Sequence, residues 1–77
     1  MAITAKFFAS LRESLQLDEC SVDLSKAHTV ADVWRLATNG KPMPPNTLIA
    51  VNMEYTDRKY AVKEGDEVAF FPPVSGG

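Results

Sequence analysis

The residues best placed to do chemistry stand together in the segment Pro72-Pro73-Val74-Ser75-Gly76-Gly77. Glycine has no Cβ, so two successive glycines let the backbone enter a channel too narrow for side chains. The carboxylate of Gly77 would then be the only group presented at the far end of that channel. We therefore expect Gly77 to be the reactive centre and Gly76 to keep the passage slim.

The two prolines predict how this segment leaves the protein. Proline fixes φ at about −65° and biases the residue before it to an extended conformation. Five residues from Pro73 onward would reach roughly 16 Å from the body of the protein. The chain is thus divided into a domain, residues 1–71, and an extended reactive tail, residues 72–77. A frayed terminus is the alternative interpretation.

Other reactive side chains are sparse. The chain has one cysteine, Cys20, and one histidine, His28, which is too few for a disulfide or for a Cys/His metal site. We expect Cys20 to pack as a small apolar residue beside Val22 and Leu24. No bound metal or cofactor is expected.

Composition argues against several classes of function. Seventy-seven residues, 45% hydrophobic and 23% charged, are typical of one ordinary globular domain. No apolar run approaches the roughly 18 residues that span a bilayer, and the N-terminus lacks the pattern of a signal peptide. The eight basic residues are scattered among ten acidic ones, which argues against nucleic acid as a partner. We expect a cytoplasmic protein that binds neither membrane nor nucleic acid.

The elements that would position the tail follow from periodicity. Apolar residues alternate with polar ones from Ile3 to Phe7, which predicts a strand with one buried face. A capping box from Ser10 to Glu13 predicts the start of a short helix. Alternation from Cys20 to Leu24 predicts a second strand that pairs with the first as a hairpin.

The main helix is predicted to begin after Thr29. This residue is a good N-cap, and Asp32 three positions later favours both capping and the helix dipole. Asn39-Gly40 ends the helix. Its apolar stripe, which includes Trp34 as a core residue, consists of Val30, Val33, Trp34 and Ala37.

The second half of the chain predicts two further strands. Residues 48–53 are almost continuously apolar, whereas residues 54–59 are polar and turn-like. Residues 60–62 would form either a brief edge strand or a helical turn. Gly65 is expected to supply the positive φ of a tight turn before the last strand, residues 67–71.

In the last strand, period 2 would send Val68 and Phe70 to the helix and Ala69 and Phe71 to the opposite face. An outward Phe71 at the root of the tail suggests a partner contact. The order of elements predicts an α+β domain in which one main helix crosses a mixed sheet of four to five strands.

That order, with a flexible Gly-Gly tail after the last strand, resembles the ubiquitin-like β-grasp. Particular residues resemble the sulfur carrier (small) subunits of molybdopterin synthase across nearly the whole chain. The most specific part is the lead into the tail, Phe70-Phe71-Pro72-Pro73. The matching segments are Phe7-Phe8-Ala9, Arg12-Glu13, Ala50-Val51-Asn52 and the run from Gly65 to Gly77.

The resemblance implies a reaction for Gly77. An ATP-dependent, E1-like adenylating enzyme would convert the carboxylate to an acyl adenylate, and a sulfur donor protein would supply the sulfur of the resulting thiocarboxylate, 1-thioglycine. A carboxylate with a pKa of about 3.5 is ionised at neutral pH and a poor electrophile, so it must first be activated.

The resemblance also implies partners. The large subunit of the synthase would bind the cyclic pyranopterin monophosphate, and two carriers would deliver the two sulfurs of the dithiolene within a heterotetramer. The chain would not be catalytic alone. Phe71 and Arg12 would contact the partner, although Arg12 could equally be a solvated helix charge. The residues that would line the insertion path are Pro72, Pro73, Val74 and Ser75.

Two alternatives remain open at this point. The sulfur carrier of thiazole synthesis shares the fold and the Gly-Gly end, but the Phe-Phe-Pro-Pro lead and the Phe-Phe-Ala start count against it. A ubiquitin-like protein modifier or interaction module would instead conjugate Gly77 to a lysine or leave it unused.

Overall fold

The computed structural model describes residues 2–73, which form two α-helices, one short 3₁₀-helix and five strands. The predicted residues Val74, Ser75, Gly76 and Gly77 lie outside this range. The elements in chain order are β1 (Ala2–Phe7), α1 (Ala9–Leu15), β2 (Glu19–Asp23), the 3₁₀-helix (Leu24–Lys26), α2 (Val30–Ala37), β3 (Leu48–Val51), β4 (Glu54–Thr56) and β5 (Glu67–Phe71).

The five strands make one mixed sheet in the order β2-β1-β5-β3-β4. β1 and β5 pair in parallel at its centre, with Phe7 opposite Phe70, and the other neighbours are antiparallel. Because parallel strands end at the same edge, β1 delivers α1 to the edge from which the chain leaves β5. The predicted ubiquitin-like β-grasp, with one main helix on a mixed sheet, is confirmed.

The core lies between α2 and the inward residues of the central strands. Phe7 and Phe70 stack there with ring centroids 5.3 Å apart, and Trp34 makes a T-shaped contact with each of them. The indole N–H of Trp34 donates to the carbonyl of Lys41 at 2.7 Å, which ties the following loop to the core. Trp34 is thus a core residue, as predicted. The inward residues of the two central strands are Ile3, Ala5, Phe7, Val68 and Phe70, all essentially inaccessible.

The predicted capping box at Ser10 is wrong. The N-cap of α1 is Phe8, two residues before the predicted Ser10, and no side chain caps the helix. The amide of Phe8 still donates to the carbonyl of Phe70 at 3.2 Å, while its own carbonyl accepts from Leu11 and Arg12. The strand therefore runs directly into the helix, and Ser10 falls inside the first turn.

The prediction of a single strand through residues 48–53 is also wrong. β3 ends at Val51, and Asn52 and Met53 form a left-handed turn with φ of 50° and 72°. The chain then returns as β4, in the stretch predicted to be a turn. A two-residue hairpin turn of this kind usually has the sequence Asn-Gly. Here methionine stands in place of the glycine, and the turn was therefore not predicted. The polar composition of β4 reflects its position at the edge of the sheet.

Residues 58–62 form neither a regular strand nor a helical turn. They pass over the start of α2, where the carbonyls of Tyr60 and Arg58 accept from the amides of Val30 and Ala31 at 3.0 Å each. Ala61 makes an isolated bridge with Thr29. This segment satisfies two of the amides that the first turn of a helix leaves without an intrahelical partner.

A capping box satisfies further amides at the same end of α2. The Thr29 hydroxyl accepts from the amide of Asp32 at 3.4 Å, and the Asp32 carboxylate accepts from the amides of His28 and Thr29 at 2.9 and 3.2 Å. These bonds, the one from His28 foremost, hold the pKa of Asp32 below its ordinary value. The predicted N-cap at Thr29 is confirmed.

The lowered pKa of Asp32 predicts a pH-dependent effect of the substitution Asp32→Asn. The ionised carboxylate stabilises the fold fully above its unfolded pKa of about 3.9, and this contribution is lost as the pH falls through the lower folded pKa. The variant should therefore melt below the wild type at pH 7, and the difference should shrink as the pH falls below about 4. Thermal melts followed by circular dichroism across this range would measure it.

Asp18→Asn is the matched control, because within residues 2–73 the exposed carboxylate of Asp18 has a single long contact, 3.9 Å to Arg12. A pH-independent difference for Asp32→Asn would contradict the capping role of the ionised carboxylate.

Candidate functional site

The tail leaves the sheet at the end of β5. Phe71, the last residue of the strand, pairs with Leu48 of β3, and it is followed by the half-buried Pro72 and the exposed Pro73. Helix α1 starts at the same edge, since Phe8 is hydrogen-bonded to Phe70. The structure thus places Phe71, Pro72 and Pro73 at one edge of the domain.

An apolar groove of about 250 Å³ lies beside this exit, on the face of the sheet that α2 does not cover. Its floor is the cross-strand pair Ala50 and Ala69, whose small side chains leave room above the sheet. We call this surface the open-face groove. The residues that line it are Phe8, Ala50, Met53, Tyr55, Glu67, Ala69 and Phe71.

Two stacked phenylalanines form the wall nearest the tail. The rings of Phe8 and Phe71 are nearly parallel, with centroids 4.7 Å apart. The predicted outward direction of Ala69 and Phe71 is confirmed, because both line the groove while Val68 and Phe70 are buried on the other face. Phe8 was not predicted as a site residue. The alternation of faces along a strand indicates its direction, because the residue after the inward Phe7 points to the opposite face.

The opposite wall is provided by the β3–β4 hairpin. Met53 and Tyr55 are 91% and 75% exposed, unusual values for large apolar side chains. Neither was predicted as a site residue, because the hairpin itself was not recognised. Together the two walls and the alanine floor form a contiguous apolar surface on an otherwise polar face.

Hydrogen bonds clamp this hairpin to the start of β5. The side chain of Asn52 donates to the Asp66 carboxylate at 2.9 Å and accepts from the amide of Glu67 at 3.0 Å. Asp66 is only 5% exposed, and its carboxylate also accepts from the amide of Lys63 at 2.7 Å. The predicted turn at Gly65 has the expected positive φ, 83°. The buried Asp66 carboxylate is therefore hydrogen-bonded both to the Asn52-Met53 turn and to the turn at Gly65.

Charged residues border the groove on the β1 side. The Lys6 ammonium lies 2.8 Å from a carboxylate oxygen of Glu67, and this hydrogen bond and charge raise the pKa of Lys6. Lys6 also faces Glu19 of β2 across the sheet. The open face is consequently apolar over β3, β4 and the end of β5, and charged over β1 and β2.

Arg12 lies on α1, outside the open-face groove. Its guanidinium is largely exposed, with one long contact of 3.9 Å to Asp18. The structure therefore brings Arg12 to the tail-exit edge but does not join it to Phe71 in one pocket.

The one cysteine of the chain has the environment of a structural residue and not that of a reactive thiol. Cys20 is half-buried and packs against the core, as predicted, and burial raises the pKa of its thiol. A raised pKa leaves less of the nucleophilic thiolate at neutral pH. Within residues 2–73, no three His, Cys, Asp or Glu side chains are grouped so as to hold a metal ion. None of the helices in this range has the length and apolar character needed to cross a bilayer.

The clamp predicts a stability loss for Asn52→Ala. The substitution removes a donor from the buried Asp66 carboxylate and the acceptor of the Glu67 amide. We expect the free energy of unfolding to fall by about 1 to 3 kcal/mol, measured by urea denaturation.

Asn39→Ala is the matched control, because Asn39 is also left-handed, with φ of 58°, but takes no part in the clamp. Equal losses in the two variants would mean that backbone conformation, and not the clamp, explains the effect.

Comparison with known proteins gives consistent matches over almost the whole chain. A model described as the ThiS family matches residues 5–77. The molybdopterin synthase sulfur carrier subunit of Haemophilus influenzae is 38% identical, with 92% of this chain and 94% of the relative covered. The Escherichia coli protein of the same name is 36% identical, with coverages of 97% and 99%.

Among solved structures, the crystal structure of SAMP1, small archaeal modifier protein 1, from Haloferax volcanii superposes with a TM-score of 0.79. It is 29% identical in sequence and covers 100% of both chains.

Proposed function

This chain belongs to the ThiS family, and we propose that it is the sulfur carrier subunit of molybdopterin synthase. The observation that carries the proposal is the match, over more than nine-tenths of the chain, to two bacterial relatives with that name. In this role the chain brings the sulfur, and the large subunit brings the pocket that holds the cyclic pyranopterin monophosphate.

The chemistry takes place at Gly77. An E1-like adenylating enzyme joins the carboxylate to the AMP moiety of ATP and releases pyrophosphate. A sulfur donor protein then supplies the sulfur that displaces AMP, and the resulting thiocarboxylate is a soft nucleophile that can attack the bound precursor. The chain binds no cofactor of its own. Dependence on ATP and on a sulfur donor is consistent with a cytoplasmic protein.

The fold supports delivery of this group to a partner. β5 ends at Phe71, and the residues from Pro72 to Gly77 span at most about 20 Å when extended. The receiving pocket must therefore lie within that distance of the tail-exit edge. The open-face groove begins at Phe71, beside the tail exit, and we infer that the partner covers it.

The open-face groove has the composition of an interface centre. Its apolar floor and stacked Phe8–Phe71 wall suit the desolvated core of a contact, and the Lys6–Glu67 ion pair suits its polar rim. We assign this surface to the large subunit, with Phe71 as an anchor and Arg12 as a peripheral contact.

A protein modifier is the second candidate, because the structural match to SAMP1 covers the whole chain. In that role the activated Gly77 carboxyl would form an amide with a lysine of another protein. The sulfur carrier of thiazole synthesis shares the chemistry up to the thiocarboxylate. The lead Phe70-Phe71-Pro72-Pro73 counts against that carrier.

Deletion of Gly77 tests the carrier function. The variant should fold normally but fail to restore molybdenum cofactor synthesis in cells that lack the native carrier. Intact protein mass should show a wild-type fraction heavier by about 16 Da, from replacement of oxygen by sulfur. The deletion variant should lack that fraction.

A matched control is Ser14→Ala at an exposed position of α1, which leaves the tail unchanged and should retain the heavier fraction. Cofactor synthesis by the deletion variant would contradict the mechanism. Accumulation of lysine-linked conjugates, without cofactor synthesis, would favour the modifier instead.

The anchor role of Phe71 predicts weaker binding by Phe71→Ala. Loss of the ring opens one wall of the groove and removes an interface contact, so the complex with the large subunit should weaken by about 1 to 3 kcal/mol. Titration calorimetry with the purified subunits would measure this. Ser21→Ala, on the charged half of the same face, is the control, and unchanged affinity of Phe71→Ala would refute the anchor.

A further inference from the structure

Met53 combines two features that disfavour a methionine at its position. Its φ of 72° lies in the left-handed region, where a Cβ crowds the backbone, and it occupies the second place of a turn that prefers glycine there. Its side chain is also 91% exposed. In the isolated domain the side chain buries little apolar surface, so its packing does not offset the cost of the strained backbone.

The surrounding hydrogen bonds enforce this conformation. The amide of Asn52 donates to the carbonyl of Glu67 at 2.9 Å, and the Asn52 side chain binds both Asp66 and Glu67. The turn is consequently fixed on its Asn52 side, and Met53 cannot relax to an extended backbone without breaking that clamp or the pairing of β3 with β4. The exposed side chain is therefore held in a defined place.

That place is the wall of the open-face groove opposite the Phe8–Phe71 stack. The groove runs without interruption from the tail exit at Phe71 across the alanine floor to Met53 and Tyr55. Because the groove begins beside the tail exit and is apolar, a partner that receives the tail and covers the groove at Phe71 can extend along it to Met53. Met53 would then lie in the part of the contact that is farthest from the tail exit.

We propose that Met53 is a specificity-determining contact with the large subunit, retained although glycine would stabilise the isolated domain. This inference rests on the proposed function and adds a residue that neither the tail chemistry nor the tail motif requires. The unbranched, polarizable methionine packs against a bulky apolar side chain of the large subunit that fills the groove. A partner presenting a charged group there would be rejected, because that charge would lose its hydration against an apolar wall.

Three substitutions separate the backbone effect from the contact. Met53→Gly relieves the left-handed strain and removes the side chain, so the melting temperature should rise by about 2 to 5 °C, while Kd for the large subunit rises about tenfold. Met53→Lys keeps the Cβ and adds a charge, so the melting temperature should stay at the wild-type value while Kd rises at least as much. Met53→Leu should match the wild type in both measurements.

Ser21→Lys is the control for charge, because it adds the same group to the polar half of the same face and should change neither quantity. Calorimetric titration of each full-length chain with the purified large subunit, together with thermal melts, gives both readouts.

A higher melting temperature with unchanged Kd for Met53→Gly would overturn the contact. A lower melting temperature for Met53→Gly would overturn the claim that the domain is destabilised by methionine. Failure of the wild type to bind the large subunit would overturn the proposed function and this inference together.

Discussion

Parallel pairing of β1 with β5 is the constraint on which the rest of the structure depends. It joins residues from the two ends of the domain, and both strands finish at one edge of the sheet. The helix that follows β1 and the tail that follows β5 therefore begin side by side. Without this pairing, neither the stacked wall of the groove nor the position of the tail exit would be defined.

Two stacked phenylalanine pairs accompany this strand pairing, one on each face of the sheet. Phe7 stacks on Phe70 in the core at 5.3 Å, and Phe8 stacks on Phe71 outside at 4.7 Å. Phe7 ends β1 and Phe8 directly follows it, whereas Phe70 and Phe71 both belong to β5, so adjacent residues serve the core and the proposed partner contact. A slip of the register by one residue would place the outer rings in the core.

Much of this arrangement could be predicted from the sequence, because period 2 and helix capping are local signals. They correctly identified the inward residues of β1 and β5, the Thr29 cap and the outward Phe71. The hairpin at Asn52-Met53 could not be read in the same way, since its left-handed turn lacks glycine and is held by Asp66, a residue distant in sequence. Phe8 was not predicted because it lies beyond the alternating stretch from Ile3 to Phe7, at the junction of β1 and α1.

The position of β5 also has a mechanical consequence. The strand is hydrogen-bonded on both sides, to β1 and to β3, and the tail continues from its end. Tension on the tail would therefore act along the strand and load both rows of hydrogen bonds in shear, so that they resist together and do not open one by one. Such a load would leave the domain intact, which suits the proposed delivery of Gly77 to a partner.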